Sequence, residues 1–221
     1  MKFIKNEAAL LFGRMLVIAE LHLGIERSLE KDGIKLPEQS ELLLEKIREL
    51  IKRNRAKELL ILGDVKDKLF ALKDYEKEEI RLFLNNLSEI AKLTIVKGNH
   101  DGGIENFIKQ PVVKSYKKDA TLFIHGHSLV EKIENYEKVV LAHSHPVLHF
   151  EDKLGGRTVR RVWVLQKGKP EIVIMPAFNP LLGGTDVREG FLGPIKRLIK
   201  EDKAELYLLD GLYLGKISDL E

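Results

Sequence analysis

The sequence predicts a single α/β domain over its 221 residues, 1–221. Three observations carry this expectation. In the first half, short apolar runs alternate with stretches of helical period; in the second, short strands follow one another between turn signals. Nowhere does a repeat, a low-complexity tract or a long linker interrupt the pattern. Strand–helix–strand alternation implies parallel pairing, because parallel neighbours need a crossover connection.

Taken in order, Met15–Ala19 is an apolar run that reads as a buried strand. Pro37 opens a helical stretch in which Leu42, Leu43, Ile47, Leu50 and Ile51 recur at helical spacing. Leu59–Leu62 is a second strand, ending in Gly63-Asp64. Glu76–Ala91 is a second amphipathic helix, with Ile80, Phe83, Leu84, Leu87 and Ile90 on one face. Leu93–Val96 is a third strand, running into Gly98-Asn99-His100-Asp101. Further strands are expected at Thr121–Ile124, Lys138–Ala142, Thr158–Leu165 and Glu171–Met175, the last two as a hairpin about Lys167–Pro170. After a loop over Phe178–Gly193, a short helix near Pro194–Lys200 precedes two strands, Glu205–Leu209 and Leu212–Ile217, around Asp210-Gly211.

Composition bounds the function. The hydrophobic share of 44% is ordinary for a globular protein, and no apolar run approaches the roughly 20 residues that span a bilayer. The N-terminus lacks an apolar core followed by a small-residue cleavage site, so no signal peptide is read. With no cysteine, disulfides and thiolate metal sites are excluded, and a cytoplasmic location is the expectation. The net charge of +3 announces no global basic field, so nucleic acid would have to be held by a local patch. A charged fraction of 32%, rich in Lys and Glu, is compatible with a thermophilic source.

The seven histidines are the main functional signal. His22, His100, His125, His127, His143 and His145 each sit where a predicted strand stops, as does Asp64; His149 reads as a structural histidine. Loops at strand carboxyl ends converge on one crevice in α/β sheets, which is where ligands bind. A cluster of His, Asp and Asn at that edge is one that a pair of metal ions would satisfy. Imidazole with carboxylate and amide oxygen suits Mn²⁺, Fe²⁺ or Zn²⁺ rather than an all-oxygen Ca²⁺ site. Two such ions about 3.5–4 Å apart can share one carboxylate, clamp a phosphate and activate a bridging water. Asp64 is the natural shared carboxylate, because Gly63 lets the strand end turn sharply.

Five blocks then occur in order: Glu20-Leu21-His22, Gly63-Asp64-Val65-Lys66-Asp67, Gly98-Asn99-His100-Asp101, His125-Gly126-His127 and Ala142-His143-Ser144-His145. Together they resemble the motif set of the calcineurin-like metallophosphoesterases. The resemblance implies a two-sheet β sandwich flanked by helices, with the metal site at one edge. It implies that His22 and His145, with Glu20 at the place of the family's first Asp, bind one metal, that Asn99, His125 and His143 bind the other, and that Asp64 bridges. Manganese is the leading candidate, with iron, zinc and nickel as alternatives. A metal-bridging hydroxide would attack the phosphorus, His100 would protonate the leaving oxygen, and Asp101 would orient His100.

Two departures from the family pattern stand out. Glu20 adds a methylene to a ligand position: either its carboxylate reaches by backbone adjustment, or the first metal is held weakly. Ala142 stands where Gly is usual, a mild change unless that position has positive φ. The tail, Phe178–Asp186 (FNPLLGGTD) and Phe191–Lys196 (FLGPIK), is similar to an archaeal group of phosphoesterases related to SbcD-type nucleases and to ligase-associated DNA endonucleases. It implies phosphodiester bonds in DNA as substrate. A small-molecule phosphatase or cyclic-nucleotide phosphodiesterase is the first alternative, and a weakened metal-binding module serving a partner protein the second. No membrane partner is expected, and a homodimer is admitted.

Remaining features are weighed against plainer readings. Lys66, Lys68 and Lys97 flank the motifs and are candidates to meet phosphates, and His127 is a candidate to face substrate. Glu26, Arg27, Glu30 and Lys31 read as a solvated loop, and Trp163 as a packing residue of the sheet. Gly183-Gly184 reads as a loop hinge near the site mouth, since no Lys-Ser/Thr follows it.

Overall fold

A computed structural model describes residues 1–31, 33, 36–69, 72–128, 132–152 and 154–220, the side chain of Lys31 excepted. The chain opens with an antiparallel pair, Lys2–Phe3 (β1) and Leu10–Phe12 (β2), followed by Met15–Ile18 (β3). Two helices, Ile25–Lys31 (α1) and Gln39–Asn54 (α2), lead to Glu58–Leu62 (β4). Asp74–Ser88 (α3), Lys92–Val96 (β5) and Val112–Val113 (β6) complete a six-stranded sheet in the order β1-β2-β3-β4-β5-β6. Strands β3 to β6 run parallel, as the helical crossovers require.

The second sheet has nine strands. They are Tyr116–Lys118 (β7), Thr121–Phe123 (β8), Lys138–Leu141 (β9), Pro146–Glu151 (β10) and Arg157–Gln166 (β11), then Glu171–Ile174 (β12), Thr185–Asp186 (β13), Ala204–Leu208 (β14) and Tyr213–Lys216 (β15). The long β11 pairs with β10 through its first half and with both β12 and β14 through its second.

Alternation along the strands sorts the core into layers, because successive strand residues face opposite ways. Leu16, Ile18, Leu59, Ile61, Leu93 and Ile95 pack under Leu43, Ile47 and Leu50 of α2 and Ile80, Phe83 and Leu84 of α3. Their neighbours Met15, Val17, Leu60 and Leu62 face the other sheet, against Phe123, Val140, Trp163 and Val173. The outer face of the second sheet (Leu122, Val139, Leu141, Val162, Val164, Ile172) is covered by Ile133, Phe191, Ile195 and Ile217. Three of these four lie in short 3-10 turns, so among the described residues α-helices flank one side of the sandwich only.

Helix α2 places acidic Glu41 in its first turn and Lys52 and Arg53 in its last, matching the helix dipole. It stops at Arg55, whose left-handed φ of 50° lets its N–H reach the carbonyls of Ile51 and Lys52. Several expected boundaries need correction. Leu42 is exposed on α2, and α3 ends before Ile90, which is also exposed. The segment holding Glu26, Arg27 and Glu30 is the helix α1, not a loop. The helix near Pro194–Lys200 is a 3-10 turn over Gly193–Arg197, as short 3-10 stretches commonly are.

Candidate metal centre

The first three motif blocks follow β3, β4 and β5 of one sheet, and the last two follow β8 and β9 of the other. Backbone hydrogen bonds stitch the loops together. The N–H groups of Leu21 and His22 both donate to the Asp64 carbonyl, at 3.0 and 2.9 Å, and Leu23 N–H donates to Val65 O at 2.8 Å. Among the described residues eight non-glycine positions have positive φ, and five of them are Glu20, His22, Asp64, His143 and His145. Strained backbone of this kind, about 1–3 kcal/mol per residue, persists where the surroundings dictate it and clusters at functional sites. Ala142 is not among these positions, so the strain falls one residue later, on His143.

Three overlapping groups hold ligand-type atoms within 4.8 Å of one another: Glu20, His22 and His145; His22, Asp64 and His100; and Asp64, His125 and His143. Asp64 Oδ2 lies 3.6 Å from His22 Nε2 and 3.4 Å from His125 Nε2. Asn99 Oδ1 is 3.1 Å from the same His125 Nε2. The Glu20 carboxylate, fully buried, places Oε2 2.7 Å from His145 Nε2 and 3.1 Å from His22 Nε2. Its other oxygen accepts the His143 backbone N–H at 2.6 Å. The longer side chain therefore does reach between the two histidines, with Glu20 at a φ of 60°.

The imidazoles are oriented from behind. His125 donates Nδ1–H to the Leu62 carbonyl at 3.0 Å, His22 Nδ1 lies 3.3 Å from Asp67 Oδ1, and His100 Nδ1 meets the Asp67 carbonyl. A histidine whose Nδ1 is engaged in this way presents Nε2 as a ligand atom. Electrostatics agree. Burial would lower the pKa of His22, yet its hydrogen bonds to Asp67 and Glu20 raise it to about 9. Burial is likewise overcome at His125 by the charge of Glu20 and by Asp64, which raise it to about 9. Glu20 is held well below the usual carboxylate range: the charges of His125 and His145 outweigh a large desolvation. His143 is pushed down to about 4 by burial and by His125 beside it, which keeps its imidazole neutral. Buried carboxylates thus gather protons that divalent cations would replace, and this N/O donor set fits such cations.

Two expected roles change. Asp101 does not contact His100 through its carboxylate: fully buried, it accepts the N–H of Val65 and of Gly98, both at 2.9 Å, and ties the second and third loops together. His100 is set instead by its own N–H to Asp64 Oδ1 (2.9 Å) and by the Asp67 carbonyl. Lys66 is buried, with Nζ donating to the Lys68 carbonyl, so it presents no cation to substrate; Lys68 is paired with Glu76. Lys97 pairs with exposed Glu105 at 2.6 Å and, with Asn99, Lys114, His125 and His127, lines a cavity of about 480 Å³ beside the cluster. His127 Nδ1 has no hydrogen-bond partner among the described residues.

Arg27 of α1 is ion-paired to Glu79, and Glu26 is buried, so neither is a substrate clamp; the side chain of Lys31 lies outside the described residues. His149 stands apart on β10, 3.5 Å from Asp186. The Gly183 carbonyl lies 3.4 Å from His145 Nδ1, which places that glycine pair at the edge of the cluster.

Sequence reasoning passed over two supports. Asp67 serves both His22 and His100, and it also accepts Ser28 Oγ at 2.7 Å; its place as the last residue of the second block was the available signal. Asn179, fully buried, donates to the Leu21 carbonyl at 2.8 Å and its backbone N–H donates to Glu20 O. A buried Asn in a predicted loop has no periodicity to announce it.

A histidine–carboxylate cluster at the joint edge of two packed sheets defines the class as a metal-dependent phosphoesterase fold. The sequence model of the calcineurin-like phosphoesterase family matches residues 13–191, and the chain belongs to that family. Among solved structures, the nuclease MPE of Pseudomonas putida is similar with a TM-score of 0.64 and 20% identity, covering 91% of this chain and 88% of that one. YfcE, a phosphoesterase from E. coli, gives a TM-score of 0.46 and 15% identity over 91% and 97%. Comparison with curated protein sequences finds no match. No helix among the described residues is long and apolar enough to cross a membrane.

Proposed function

We propose that the protein hydrolyses phosphodiester bonds at a dinuclear metal centre, with DNA as the substrate class and Mn²⁺ as the leading metal. The observation that carries the reading is Asp64, whose Oδ2 stands between His22 and His125 and so belongs to two ligand groups at once. Glu20, His22 and His145 would hold one ion; Asn99, His125 and His143 the other. When bound, the ions supply Lewis-acid charge for the phosphate and an activated water. His100 is anchored through Nδ1, which leaves Nε2 to deliver a proton to the leaving oxygen. Asp67 positions both His22 and His100, and Asp101 holds the loops that carry Asp64 and Asn99. DNA is favoured by the tail resemblance and by Lys97 and Lys114 on the adjoining cavity, where they suit backbone phosphates.

The test is hydrolysis of bis(p-nitrophenyl) phosphate and p-nitrophenyl phosphate with Mn²⁺, alongside Asp64→Ala and His100→Ala and a metal count on the purified protein. Diester cleavage lost in both variants, with two ions per chain falling to one or none in Asp64→Ala, is expected. Cleavage of the monoester alone, or an Asp64→Ala variant with full activity, would refute it.

A further inference from the structure

The first sheet is polarised. Its carboxyl edge gathers carboxylates and histidines, whereas its amino edge gathers cations. Arg14 precedes β3, Lys57 precedes β4 and Lys92 opens β5, while the end of α2 adds Lys52 and Arg55. Lys57 N–H donates to the Arg14 carbonyl at 2.8 Å and Lys92 N–H to the Lys57 carbonyl at 2.9 Å, so the three strand starts are held side by side. Between them opens a cavity of about 530 Å³, lined by Arg14, Arg48, Lys52, Arg55 and Lys57 over an apolar floor of Ile51, Ala56 and Ile90. No carboxylate lines it.

Arg48 is engaged, with Glu45 at 2.6 Å and Asn86 at 2.7 Å. Arg14, Lys52, Arg55 and Lys57 are exposed and make no ion pair or side-chain hydrogen bond among the described residues. Lys52 has a plainer use, since it lies in the last turn of α2 and complements the helix dipole. Arg14 and Lys57 have none of that kind, because each lies in a turn before a strand. Surfaces ordinarily intersperse both signs, and this chain has 34 acids available to 37 Lys and Arg. Four unpaired cations around one concavity, with mutual repulsion and no acid among them, leave an anion as the complementary ligand.

We propose that this cavity is a second binding site, remote from the metal centre, that takes phosphate groups, those of a nucleic-acid strand in the first place. Its distance from the metal cluster is set by the five residues of β4, about 17 Å at the usual strand rise. Arginine offers forked donors that match phosphate oxygens, and lysine a compact charge, so Arg14 and Arg55 would grip and Lys52 and Lys57 would neutralise. Nothing in the lining reads a base edge, so the contact is independent of sequence. The assignment does not rest on the hydrolytic reading, because no residue of the metal cluster takes part.

The experiment is fluorescence anisotropy on the full chain with its metal in place, using a labelled, phosphorothioate-linked 20-nucleotide single strand that resists cleavage. Arg14→Glu/Arg55→Glu is compared with the parent across a salt series. Affinity is expected to fall at least about tenfold, and the slope of log K against log salt to flatten by about 1.4, which is two contacts at about 0.7 each for single strands. Hydrolysis of bis(p-nitrophenyl) phosphate should be unchanged. Arg14→Gln/Lys57→Gln, two exposed positions outside any helix, should show the same flattening and guards against a folding defect. In a second arm AMP is titrated while the melting temperature is read. An AMP-induced rise lost in the variants, with strand affinity intact, would assign the site to a free nucleotide phosphate. If neither strand affinity nor the AMP effect changes, the site does not exist.

Discussion

Gly98→Ala is the sharpest perturbation of the metal centre that leaves every ligand residue in place. A Cβ at Gly98 would lie 2.8 Å from Asp64 Cγ and closer still to its Oδ1 and backbone nitrogen. Ordinary van der Waals contact begins at 3.4 Å, so Asp64 Cγ and the new carbon would have to part by about 0.6 Å at the least. Neither can retreat freely. Gly98 N–H is held by Asp101 at 2.9 Å, and the Asp64 carbonyl holds Leu21 and His22. Overpacking of this kind costs about 1–3 kcal/mol. At about 2–4 °C per kcal/mol for a chain of this size, the melting temperature should fall by several degrees. The larger effect falls on chemistry, since a displacement near 1 Å of a positioning group costs about 100-fold in rate. The assay is kcat/KM for bis(p-nitrophenyl) phosphate with Mn²⁺ beside a thermal melt. An alanine variant with parental kcat/KM would refute the proposition that the position of Asp64 limits the reaction.

Three further outcomes follow from contacts already described. Glu20→Asp withdraws the carboxylate from the His143 N–H and from His145, so it should lower the metal-free melting temperature and give no gain in rate; a large gain would mean that Glu20 weakens an otherwise competent centre. Against the burial that would raise it, Asp186 is held at about 2 by its bonds to Arg188 and to the His149 N–H. The stability this contributes is present above the ordinary value of 3.8 and is lost as pH falls from about 4 towards 2, so Asp186→Asn should flatten melting temperature against pH in that window only. Trp163→Ala empties a site between the sheets, where the ring is 2% exposed and 4.6 Å from Phe3; a loss of about 3–5 kcal/mol in urea unfolding is expected, and under 1 kcal/mol would mean the sheets close over the gap.

The parallel half of the fold was legible because its strands are buried on both faces and read as unbroken apolar runs: Met15–Ile18, Glu58–Leu62 and Lys92–Val96. Strand β10 was not, because its burial stops midway and His149, Phe150 and Glu151 are exposed, which erases the alternation. The β1–β2 hairpin is too short to carry a period, and α1 is seven charged-rich residues whose helicity depends on packing. At the site, the residue types and their order announced the cluster, but not who holds whom. Asp101 was assigned to His100 by adjacency, whereas backbone N–H groups from two loops took its carboxylate. Lys66 was expected at the surface because lysine almost always is; here the turn after Asp64 carries it inside.

The doubly accepting carbonyl of Asp64 bears on how the centre comes into being. Leu21 and His22 both hang from it, and Asp101 clasps Val65 to Gly98, so three loops that are distant in sequence share one hinge of backbone bonds. Such an assembly opens all together or not at all. The amides of Leu21, His22, Val65 and Gly98 should then exchange with solvent at one common rate, and neither half of the ligand set would wait, pre-formed, for the other during folding.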